Sequence, residues 1–199
     1  MKNRGDAQAR KADHFALFDE PRRPWLDPEE LKQKFHALTV VHHPDLVVED
    51  SVDFTAVNAA YQNLCDPVKR LRHLLELEAS ALDPQPMTPS PETTELFMQF
   101  APLQQTLAGF LSRHAKAASP VAQALLCEEK FALLAEIESV MEALQARQTR
   151  LYDQVRAIDD GWPVHRPFDV LRTLQHDLAY LQKWSDQFRA AAAQLATGF

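Results

Sequence analysis

The sequence predicts an all-α protein built as a helical hairpin followed by an antiparallel three-helix bundle. Three observations carry that expectation. Glycine is scarce, 4 in 199 residues, so tight turns and strand bulges are few. Apolar residues recur at spacings of three and four through most of the chain, the period of an amphipathic helix. Pro84, Pro86, Pro89 and Pro91 crowd a stretch where that periodicity lapses, which marks residues 79–91 as a semi-rigid linker between two domains.

In chain order, residues 1–12 are polar and basic and read as a flexible tail. Asp13 caps a short helix that offers Phe15, Leu17 and Phe18 to a core, and Glu20-Pro21 ends it. Trp25 or Leu26 anchors the following loop. Asp27-Pro28-Glu29-Glu30 is a helix start with a cap, a proline at the first position and a capping box. Leu31, Phe35 and Leu38 give that helix one buried stripe, extended by Val41 or His42, while Lys32, Lys34 and His36 face solvent. The helix must stop at Pro44. The next begins near Ser51 or Asp53 with Phe54, Val57, Tyr61 and Leu64 as its stripe. Asp66-Pro67 closes it and opens a further helix carrying Leu71, Leu74 and Leu75. Two such helices joined by a short loop pack antiparallel, which leaves His43-Pro44-Asp45 at one end of a hairpin.

Beyond the linker, a helix from about residue 92 to 117 carries Leu96, Phe97, Phe100, Leu103, Leu107, Phe110 and Leu111. Ser119-Pro120 starts a second helix of about 40 residues ending at Asp160. Leu134, Met141 and Val155 fall on one seven-residue grid, with Gln148 in the missing place; Ile137, Leu144, Leu151 and Ile158 fall on another. A third helix follows Pro167, capped by Asp169, with Leu174, Leu181, Phe188 and Leu195 on one grid and Leu171 and Leu178 on the other.

Taken alone, His43-Pro44-Asp45 reads either as a helix stop with Asp45 bonded to nearby backbone, or as a presented motif. In the second case Asp45 offers a charge-assisted acceptor to a partner arginine and Pro44 lowers the ordering cost of docking. The flanking residues Leu17-Phe18, Leu26-Asp27, Leu31, Phe35, Leu38, Asn58, Ala60-Tyr61, Leu64, Pro67, Arg70 and Leu74-Leu75 resemble a J-domain over residues 13–78, in particular the HscB type of iron–sulfur cluster co-chaperone. The resemblance implies stimulation of ATP hydrolysis by a DnaK- or HscA-type chaperone, with His43, Pro44, Asp45, Lys32 and Lys34 as the chaperone-binding set. Residues 13–78 hold 7 Lys/Arg and 13 Asp/Glu, a net of -6, whereas the resembled family usually carries a basic second helix and a Lys or Arg after the tripeptide.

Residues 92–199 resemble the client-binding bundle of the same family, through Glu95-Leu96-Phe97-Met98-Gln99 and Leu178-Ala179-Tyr180-Leu181-Gln182-Lys183. The resemblance implies a client, such as an iron–sulfur scaffold protein, held by Phe97, Met98, Ala101 and Tyr180. Ala101 replaces a larger apolar residue. Pro102 and Gln105 stand where the family has glutamates, and Pro102 is expected to kink its helix. A degenerate J-like interaction protein that no longer activates a chaperone is the alternative.

The formal charge of -7 argues against nucleic acid, whose phosphates need a basic face. No apolar run approaches ~20 residues, so no membrane span and a cytoplasmic location are expected. Cys65 and Cys127 read as buried reduced thiols with no metal or redox motif around them. No cofactor is expected. The pairs His43/Asp45 and His176/Asp177 lack a nucleophile, phosphate loop or metal-ligand set, so no catalysis by the chain itself is expected. The seams close within one chain or pair between chains, giving a monomer or weak homo-oligomer.

Overall fold

A computed structural model describes residues 13–41, 54–79, 88–117 and 119–197. Within them there are seven helices and no strand, so the fold class is all-α. The expected tail 1–12, most of the linker and the tripeptide at 43–45 lie outside the described residues. The described chain divides into two compact units, one of which joins residues before the linker to Arg156–Phe168.

In the first unit, α1 (His14–Leu17) starts where the Asp13 carboxylate accepts from the backbone N–H groups of Phe15 and Ala16 at 3.1 and 3.2 Å. α2 (Pro28–Val41) starts in the same way, with Asp27 accepting from Glu29 and Glu30 at 2.8 and 3.1 Å. α3 (Phe54–Cys65) is the central element, because α1, α2 and α4 (Pro67–Glu78) all pack on it. Its buried residues are Val57, Ala60 and Leu64. Phe54 is 45% exposed, not part of the stripe, because at 100° per residue it sits about 90° from the centre of that face. The core is completed by Phe15, Phe18, Leu26, Leu31, Leu71 and Leu74.

Two buried polar side chains of α4 bind this core to its loops. Arg70 donates to the Leu64 carbonyl near the end of α3 at 2.7 Å and to the Pro24 carbonyl at 3.0 Å, satisfying groups that the helix end and loop leave free. The His73 Nε2 accepts the His14 backbone N–H at 3.1 Å.

Residues 156–168, assigned from sequence to the bundle, also belong to this unit. Asp159, with its side chain only 4% exposed, accepts from the Arg23 guanidinium through both oxygens and from the Trp25 N–H at 2.9 Å. The Trp25 ring lies under the Arg156 guanidinium at 4.2 Å. Buried Trp162 donates its indole N–H to the Arg22 carbonyl at 2.8 Å, and Glu78 accepts from both Arg22 and Arg166. Helical periodicity carries no information about such partners, since a seam reads the same wherever its last turn docks.

In the second unit, α5 (Pro91–Lys116) is capped by Ser90, α6 is Pro120–Asp160 and α7 is Phe168–Thr197. α5 continues through Pro102 without a break. Asp169 lies in the first turn of α7 and is not its cap. The α6 seam is Leu133, Ile137, Val140, Leu144, Leu151 and Val155, with Leu134 and Met141 only half-buried beside it. The predicted grid of Leu134, Met141 and Val155 is therefore displaced by one residue in its first half and holds at Val155, while the other grid holds at Ile137, Leu144 and Leu151. The missing member of the true grid is Arg147, and it meets the buried Asp177 of α7 at 3.6 Å. Asp177 also accepts the Ser90 N–H at 2.9 Å, while Arg147 donates to the Ser90 hydroxyl at 3.1 Å. A polar side chain at a seam position interrupts the apolar pattern there. Among the described residues no helix is long and apolar enough to cross a membrane.

Candidate functional site

The chaperone-binding set is split by the structure. His43, Pro44 and Asp45 lie outside the described residues, between the end of α2 and the start of α3. What holds those two helices is well defined. Phe35 of α2 stacks on Tyr61 of α3 at 4.2 Å, and Phe18 stacks on the same ring at 6.4 Å. Lys32 is exposed on α2. Lys34 is not free in solvent: its ammonium pairs with Glu20 at 2.7 Å and donates to the Asp19 carbonyl at 3.1 Å. Asp19 sits in the left-handed region at φ 49°, which an aspartate tolerates and which ends α1. Lys34 thus ties the α1 turn to α2, a role invisible to a helical wheel.

The client-binding set lies in the second unit. Phe97 of α5 stacks on Trp184 of α7 at 5.2 Å, Tyr180 approaches Trp184 at 5.7 Å, and His176 stacks on Tyr180 at 4.8 Å. Phe97, Tyr180 and Trp184 line a hollow of about 430 Å³. Met98 is 67% exposed and Ala101 half-buried, and neither lines this hollow. At Pro102 the helix lacks the N–H that would reach the Met98 carbonyl. Sequence reasoning missed Trp184, although its spacing of four from Tyr180 puts both on one face of α7. Gln104 and Gln187, which it also missed, line the walls together with Lys183 of the resembling segment.

The His43/Asp45 pair lies outside the described residues. Asp177 is turned into the polar layer with Ser90 and Arg147, while its sequence neighbour His176 stacks on Tyr180. Cys65 is exposed and Cys127 half-buried, correcting the expectation of two buried thiols; both are free. Cys65 closes α3 one position beyond the buried stripe. Partial desolvation, then the neighbouring Asp66 carboxylate, hold its thiol above the ordinary value. Among the described residues no group of three His, Cys, Asp or Glu could hold a metal ion.

No family model matches the chain. In sequence it is 39% identical over 72 residues to a co-chaperone protein HscB homolog of Bordetella pertussis, a match covering 32% of this chain and 42% of that protein. It is 33% identical over 52 residues to the mitochondrial J-type co-chaperone JAC1 of Saccharomyces cerevisiae, covering 26% of this chain and 28% of that one. The aligned part is thus less than half the length of either relative. In structure the chain is similar to the chaperone HscB from Vibrio cholerae, with a TM-score of 0.59 at 21% identity over 92% of this chain and 99% of the other. The fold is that of HscB.

The HscB likeness covers both halves of the chain, bundle included, whereas the sequence match to its relatives is much shorter. Within the HscB fold the two candidate surfaces fall in different units: the α2–α3 connection in one and the α5–α7 hollow in the other.

Proposed function

We propose that this chain is a J-type co-chaperone that stimulates ATP hydrolysis by a DnaK-type chaperone and carries a client on its bundle, with an iron–sulfur scaffold protein as the client class. The observation that carries the reading is an HscB fold in which the chain between α2 and α3 contains an intact His43-Pro44-Asp45. Three consecutive residues there supply an imidazole, a ring-fixed backbone and a carboxylate as recognition groups. Asp45 supplies a charge-assisted acceptor for a partner arginine, and Pro44 reduces the entropy lost on docking. Phe35, Tyr61 and Phe18 lock the helices on either side, so a docking force is transmitted to a rigid unit. Phe97, Tyr180 and Trp184 provide the apolar surface for the client. No bond is made or broken by this chain; the chemistry belongs to the partner ATPase.

The test is single-turnover ATP hydrolysis by a DnaK-type chaperone. Stimulation by the full chain, lost in His43→Gln, supports the reading, and no stimulation refutes it.

One observation favours a second reading, a J-like interaction protein without chaperone activation. Lys34 is held by Glu20 and Asp19, which removes a cation from an α2 face already poor in them. Affinity capture recovering stable partners but no chaperone, with ATP present, supports this second reading over the first.

A further inference from the structure

The α5–α7 hollow does not stop at its polar end. Gln104 and Gln187 face each other at 3.4 Å and line both the first hollow and a second one of about 240 Å³. The second is walled by Leu107, Ala108 and Leu111 of α5 and by Phe188 and Ala191 of α7. Its walls carry no charge, and the only charged side chain lining the first is Lys183. Lys183 is exposed and has no ion-pair partner among the described residues. Positions 102 and 105 are proline and glutamine, so they supply no carboxylate.

We propose that the two hollows form one docking groove for an amphipathic helix with two apolar anchors about eleven residues apart and a carboxylate beside the first anchor, facing Lys183. The proposal rests on the co-chaperone reading for the purpose of the occupant, and on the groove alone for its chemistry.

Spacing selects the helix. Phe97 and Ala108 lie eleven residues apart on α5, which at 1.5 Å per residue is about 17 Å. Eleven residues of a partner helix span the same distance and return within about 20° of the starting face. An extended strand covers about 17 Å in five residues, an odd number, which points its two anchors to opposite faces. Charge selects the carboxylate. In a protein of net charge -7, a groove whose only charged lining residue among those described is a lysine with no ion-pair partner among them favours an acidic residue over a basic one. The Gln104–Gln187 contact is long for an amide hydrogen bond, so it opens at little cost, and each side chain then offers a donor and an acceptor to polar groups midway along the helix.

The test uses the full-length protein, with no chaperone present, and three fluorescein-labelled helical peptides of about 18 residues. The first carries two leucines eleven positions apart and a glutamate beside one. The second has lysine in place of the glutamate, and the third has serine in place of the distal leucine. Fluorescence anisotropy is expected to show the first binding at least tenfold more tightly than either other peptide. Lys183→Glu is expected to invert the preference between glutamate and lysine. Ala108→Arg, at an exposed position that does not disturb folding, is expected to erase the advantage of the second leucine. Failure of all three peptides to bind, equal affinities, or an unchanged order in either variant overturns the proposal. So does a wild-type dimer that Ala108→Arg dissociates, since the occupant is then a second copy of the chain. ATPase stimulation measured without peptide separates the two readings: its absence alongside selective peptide binding refutes the co-chaperone role and leaves the groove standing.

Discussion

Asp159 gives the sharpest stability prediction, because one buried carboxylate serves three donors. Its side chain is 4% exposed; Arg23 reaches it with Nε at 3.0 Å and with a second, shorter contact, and the Trp25 N–H reaches it at 2.9 Å. In Asp159→Asn the amide oxygen retains two of these bonds, but the amide NH₂ then meets the Arg23 guanidinium donor to donor. Losing one charge-assisted bond costs about 1.5–3 kcal/mol, and Arg23, 42% exposed, recovers part of that by rehydration. The expected cost is about 2 kcal/mol. Arg23→Ala is expected to cost more, about 3 kcal/mol, because it leaves a buried carboxylate with a single backbone donor. The double variant is expected to show a coupling of at least about 1 kcal/mol. Urea unfolding followed by tryptophan fluorescence reads this well, since Trp25 and Trp162 both lie in the unit concerned. If Asp159→Asn stays within about 0.5 kcal/mol of wild type, the pair behaves like an ordinary surface ion pair and the reasoning fails.

Other outcomes follow from the same geometry. Burial raises the Asp13 pKa, but its bonds from Arg22, Ala16 and Phe15 outweigh that and set it below 3.8. A carboxylate lowered on folding adds stability above its unfolded pKa, so that contribution is lost as pH falls below about 4 and through the folded value; Asp13→Asn should flatten acid unfolding there, and an unchanged profile contradicts this. The seam register predicts that Leu133→Ala, at a site 3% exposed, costs about 2–4 kcal/mol and the half-buried Leu134→Ala no more than about half as much; equal costs by urea unfolding restore the displaced grid. The Cys65 thiol, held above its ordinary value, should react more slowly with a disulfide reagent near pH 8 than free cysteine does; an equal or faster rate refutes the shift.

The helices were legible because their starts are chemical. Asp13, Asp27 and Ser119 each cap the helix that follows, and a cap is a local signal. Leu134 and Met141 fall one residue from the buried Leu133 and Val140 because Arg147 takes the next core position, and its compensation by Asp177 and Ser90 lies outside α6; Ile137, Leu144, Leu151 and Val155 are buried as expected. Phe54 and Cys65 were misjudged for a related reason: an apolar residue near a helix end need not face the core. Phe97 and Tyr180, which the resemblance singles out, do share a hollow, but Trp184, stacked on Phe97 and tilted against Tyr180, carries no such sequence mark. Lys34 carries a second role that the sequence does not show, because its partners Glu20 and Asp19 come from the α1 turn.

The central claim is that the chain between α2 and α3 activates a chaperone. Single-turnover ATP hydrolysis by a DnaK-type chaperone, titrated with wild type, His43→Gln and Lys34→Ala, tests it directly. The account predicts saturable stimulation by wild type and none by His43→Gln. Because Lys34 is already held by Glu20, Lys34→Ala should retain most of the stimulation. Stimulation that survives His43→Gln, or a wild type that leaves the hydrolysis rate unchanged, contradicts it.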